Sequence, residues 1–101
     1  MQCTAQGTEN LQPAMSPEAA CEDFAAALEA AMQQGESSLG TFQSLTAALS
    51  FSSAGIARVE MRQSGQSAPM FDANVARTDR PLDHAVIERL AMQVAQRLAD
   101  R

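Results

Sequence analysis

The sequence predicts an α+β domain: a long N-terminal helix, a short element of ambiguous type, an antiparallel β-hairpin and a C-terminal helix, with the helices covering one face of the sheet. Three observations predict it. Apolar residues recur at helical spacing after Ser16 and again after Pro81. They alternate with polar residues over 56–63 and 70–77. Glycine, proline and serine punctuate the intervals between these segments.

The first helix is expected over about 16–34. Ser16 is a good N-cap, Pro17 suits the first helical position and Glu18 complements the helix dipole. Ala20/Cys21, Phe24, Ala27/Leu28 and Ala31/Met32 then form one apolar face, with Glu18, Glu22, Glu29 and Gln33 on the other side, and Gly35 is a natural stop. Residues 36–40 read as a connector. The stretch 41–53 fits two templates: Phe42, Leu45 and Ala48/Leu49 suit a short helix capped by Thr41, and Leu45, Ala47, Leu49 and Phe51 suit a strand. Its alanine and leucine content tilts the expectation towards helix.

Over 56–63, Val59 and Met61 face one way and Arg58, Glu60 and Arg62 the other; over 70–77, Phe71, Ala73 and Val75 share a face. With the turn Ser64–Ser67 between them, these segments predict a hairpin with one buried and one wet face, or the outer part of a three-stranded meander if 41–53 is a strand. Pro81 is expected to open the last helix, whose buried stripe would be Val86/Ile87, Leu90/Ala91, Val94 and Leu98. Met92 stands among polar neighbours. Residues 1–15 are polar and aperiodic and read as a flexible N-terminal tail, leaving 16–101 as a single domain.

The 101 residues have room for one modest core. No stretch approaches the ~18 apolar residues of a membrane span, and residues 1–6 have neither the basic start nor the apolar run of a signal peptide. The cytoplasm is therefore the expected compartment. Export, or a lipid anchor on Cys3 after removal of an upstream signal, is the alternative. All seven basic residues are arginine, a composition of high-GC bacterial or phage genomes. Four phenylalanines are the only aromatics, which disfavours ligands held by stacking.

Charge is unevenly spread. Residues 1–57 carry six acidic and no basic side chains, whereas all seven arginines fall within 58–101. An acidic helix face of this kind is either solvated or matched to a basic surface on a partner or a second copy of the chain.

Little in the sequence resembles a reaction centre. Cys21 lies on the apolar stripe of the first helix and packs as a small hydrophobe. To act as a nucleophile it would need His84, the only histidine, and a carboxylate such as Asp83. Cys3 reads as an inert tail thiol; pairing with Cys21 would require an oxidising compartment. No spacing suggests a metal site, no glycine-rich loop suggests a nucleotide, and no cofactor is implied. Arg58, Arg62, Arg77 and Arg80 cluster around the hairpin, but interleaved acids and the net charge of −5 oppose nucleic-acid binding. Met32, Met61 and Met70 read as core fillers, and Met15 and Met92 as adaptable surface.

The function expected from these features is a small non-enzymatic protein-binding module, of chaperone, regulator or inhibitor type, with homodimerisation favoured because a small sheet must protect its edges. Its binding surface would use Glu18, Glu22, Glu29, Met92, Arg58 and Arg62. The alternatives are an exported or lipid-tethered envelope domain, and a small enzyme or ligand carrier using Cys21 and His84.

Overall fold

A computed structural model of the chain describes residues 2–34, 45–63, 65, 67–79 and 81–99. In order they form strand β1 (Gln2–Gln6), a 3-10 turn (Thr8–Asn10), helix α1 (Pro17–Gln34), strands β2 (Leu45–Phe51), β3 (Ile56–Gln63) and β4 (Phe71–Ala76), and helix α2 (His84–Ala99). The strands make one mixed sheet in the order β1-β2-β3-β4. β1 runs parallel to β2, and the other pairs are antiparallel. A parallel pair needs a crossover, and α1 supplies it. α1 packs on β1 and on α2, and α2 packs on β3 and β4. The described residues thus form an α+β domain of two layers, with α1 and α2 on one side of the sheet.

Side-chain periodicity explains which face is covered. Leu45, Ala47, Leu49 and Phe51 of β2, Ala57, Val59 and Met61 of β3, and Ala73 and Val75 of β4 all point under the helices and are buried. Against them α1 sets Ala20, Phe24, Leu28 and Met32, and α2 sets Val86, Ile87, Leu90, Ala91 and Val94. Ser16 caps α1, its Oγ accepting from the Ala19 N–H at 3.1 Å. The sheet face turned away from α1 and α2 carries polar and small residues in cross-strand rows: Thr4, Ala48, Glu60 and Asp72 in one, Gln6, Ser50, Arg58 and Asn74 in the next.

Three expectations need correction. Residues 2–15 belong to the fold and are not a tail. β1 pairs with β2, Leu11 is only 1% exposed in the core, and Leu11 bridges Leu82. Gly7 permits this path: its φ of 75° is left-handed, and a side chain there would run into the Phe51 carbonyl. The helix expected in 41–53 is instead β2 from Leu45 onward. Its alternate residues fill the core between β1 and β3, and that burial outweighs the helical preference of alanine and leucine. The hairpin is accordingly the outer half of a four-stranded sheet. Finally, α2 starts at His84 and not at Pro81. Leu82 is drawn into the core and its carbonyl accepts from the Gln12 N–H at 2.8 Å, so Asp83 becomes the cap, accepting from the Ala85 N–H at 3.1 Å. Gly35, the 36–40 connector, Thr41, Phe42 and Arg80 lie outside the described residues.

Candidate functional site

The two cysteines form a disulfide, Cys3–Cys21, joining β1 to the first turns of α1 with Cα atoms 5.8 Å apart, in the normal range for such a bridge. In this state Cys21 has no thiol with which to attack a substrate. His84 serves elsewhere. Its Nε2 lies 3.1 Å from Asp23 Oδ2 on α1 and its Nδ1 3.5 Å from Glu88 Oε1, so it links the two helices. Asp23 is two residues beyond Cys21, and residues so spaced do not share a helix face. The pairing of Cys21 with His84 that the enzyme alternative would need is therefore not assembled. Among the described residues, no cluster of three or more histidine, cysteine or acidic side chains has the arrangement to hold a metal ion. None of the described helices is long and apolar enough to cross a membrane.

The six residues expected to form one binding surface are divided among different faces. Arg58 and Arg62 stand on the open face of the sheet, away from the helices. Arg58 Nη2 lies 2.8 Å from Asp72 Oδ2 and 3.9 Å from Glu60 Oε2, and Arg62 Nε donates to Glu60 Oε1 at 2.9 Å. Arg62 also donates to the Ser67 carbonyl. Glu60 and Asp72 are directly opposed across β3 and β4, and Arg58 offsets their repulsion. Arg77 is buried, with Nη1 3.5 Å from Asp83 Oδ1. Among the described residues, Arg58, Arg62 and Arg77 each stand beside a carboxylate. Met92 is 57% exposed on the side of α2 turned from the core, whereas Met32 and Met61 are buried and Met15 and Met70 half-buried.

The acidic residues of α1 do converge. Glu18, Glu22 and Glu29 fall on one helix face by their spacing. Glu18 and Glu22 border a shallow groove of about 440 Å³ with Cys3, Thr4, Ala5, Pro17 and Cys21. The groove follows β1, the outermost strand of the sheet. Among the described residues β1 pairs on one side only, with β2. The other edge, β4, is partly occupied: the Asn74 carbonyl accepts from Gln93 Nε2 of α2 at 3.4 Å, and the Arg97 guanidinium lies 5.5 Å from the Phe71 ring centroid. Sequence reasoning marked the glutamates but not the strand beside them. The alternation of Cys3 and Ala5 with Gln2, Thr4 and Gln6 was the one available signal, and five residues of it are too few to stand alone.

Fold and site together define a disulfide-stapled, two-layer α+β domain with an acidic groove along one sheet edge. No family model, curated protein or solved structure matches the chain.

Proposed function

We propose that this domain is a non-enzymatic protein-binding module that takes an extended, basic segment of a partner along β1. The observation that carries the reading is the pairing of an edge strand, unpartnered on its outer side among the described residues, with the carboxylates of Glu18 and Glu22. Strand addition supplies backbone hydrogen bonds, and specificity then comes from the side chains flanking the edge. Here the flanking charge is negative and selects arginine or lysine. A second copy of the chain is a poorer occupant of this edge, because β1-to-β1 pairing would bring the glutamates of two copies together. The Cys3–Cys21 bridge supports an exported location, since such bonds persist in oxidising compartments.

The test is titration of the oxidised protein with an alternating Arg-Val peptide and its Glu-Val counterpart. Saturable binding of the first, with amide shifts in Cys3–Gln6, is expected. Glu18→Lys with Glu22→Lys should abolish it, while Glu88→Lys on α2 should not. Equal binding of both peptides, or shifts confined to β4, would rule the proposal out.

A further inference from the structure

A second cavity lies at the end of the sheet where β1, β2 and β4 all terminate. It is an open depression of about 670 Å³ between the β2–β3 turn, the segment after β4 and the 3-10 turn near Glu9. Arg77 lines it, with only 6% of its side chain exposed. Its Nη1 is buried and has no hydrogen-bond partner among the described residues. Asp83 Oδ1 at 3.5 Å balances charge but stands beyond hydrogen-bonding distance, and it already accepts from the Ala85 N–H. A buried guanidinium donor left unmet is uncommon, because desolvating it without an acceptor is costly. The backbone holds this arginine in place: its N–H donates to the Gly55 carbonyl at 2.8 Å, and Gly55, at φ 87°, lies so close that a side chain there would strike the Arg77 carbonyl.

The rest of the lining sets what the missing acceptor belongs to. Glu9 and Asp79 are exposed and border the same cavity, with hydroxyls from Ser52, Ser53 and Thr78. A simple anion reaching Arg77 would have to pass two carboxylates. A ligand carrying an ammonium group as well as a carboxylate satisfies both: the carboxylate meets the guanidinium, and the ammonium meets the acidic rim. We infer that this cavity binds a small zwitterion of the amino-acid or dipeptide class. The site is separate from the β1 groove and does not rest on the function proposed for it.

The probe is L-alanyl-L-alanine, compared with acetate and methylamine, by calorimetry and by amide shifts of Gly55 and Thr78. The dipeptide is expected to bind at least about tenfold more tightly than either half-ligand, a difference of about 1.4 kcal/mol. Glu9→Gln with Asp79→Asn, which leaves Arg77 and its packing intact, should weaken dipeptide binding about tenfold without weakening acetate. Arg77→Lys should weaken dipeptide and acetate alike. Absence of saturable dipeptide binding, acetate binding as tightly as the dipeptide, or a rim double variant that binds like the parent would each overturn the assignment.

Discussion

Removing the Cys3–Cys21 bridge tests the part of the fold that departs furthest from the sequence pattern. The bridge joins residues 18 apart in the chain and so closes a modest loop. For a loop of that length, loop-closure entropy alone gives about 3 kcal/mol of stabilisation. A chain of this size has an unfolding entropy of about 0.2 kcal/mol/K near its midpoint, so Cys3→Ser with Cys21→Ser should lower Tm by about 15 °C. The loss should also be distributed unevenly. β1 has five residues, a neighbour strand on one side only among the described residues, and half-buried Cys3 and Ala5 as its inward contacts. Without the bridge it should open below the global transition, while β3, flanked on both sides, stays closed. Differential scanning calorimetry and amide hydrogen exchange on both forms provide the readout. A Tm change under about 3 °C, or Thr4 and Ala5 amides as protected as those of Val59 and Met61 in the unbridged protein, would refute the account of β1 as an edge strand held by its crosslink.

Three further outcomes are expected. Leu11→Ala should cost about 2–5 kcal/mol in urea unfolding because Leu11 is core; a near-neutral result would return residues 1–15 to the status of a tail. Asp83→Ala removes the cap of α2 and the carboxylate nearest Arg77, and should cost about 1–3 kcal/mol, whereas Asp83→Asn, which keeps the cap, should recover about 1 kcal/mol of that loss; equal effects of the two would contradict the capping role. Arg58→Ala should stay within about 1 kcal/mol, since Arg58 and Asp72 are about half exposed; a loss above about 2 kcal/mol would mean the open sheet face is structurally committed.

Both helices were readable because each repeats large apolar residues against a polar background: Phe24, Leu28 and Met32 in α1, Ile87, Leu90 and Val94 in α2. β3 alternates Val59 and Met61 with charged residues and was equally plain. β2 was not, because alanine, serine and leucine obey two periodicities at once, and only the empty place between β1 and β3 decides between them. β1 was hidden for a different reason. Its partner strand is more than forty residues away, and its crosslink joins two cysteines whose spacing carries no motif. The acidic stripe of α1 was legible as a charge pattern, but the edge that gives it meaning was not. Burial of Arg77 had no local signature at all, since Gly55 and Asp83 close around it from two different segments.

The bridge also separates the two binding proposals. The β1 groove needs β1 fixed against α1, because Glu18 and Glu22 border the strand only while it is docked. The Arg77 cavity has anchors of its own on the same N-terminal segment. Asn10 Nδ2 donates to the Phe51 carbonyl at 2.9 Å, Leu11 bridges Leu82, and the Gln12 N–H donates to the Leu82 carbonyl at 2.8 Å. These contacts hold Glu9 beside the cavity without help from the disulfide. In the Cys3→Ser/Cys21→Ser protein, kept well below its midpoint, Arg-Val peptide binding should fall at least about tenfold while alanylalanine binding stays within about twofold. Titrating the oxidised and unbridged proteins with each ligand measures this directly. Parallel loss of both affinities would mean that the N-terminal segment moves as one unit, and the contacts of Asn10, Leu11 and Gln12 would then be too weak to hold the cavity closed on their own.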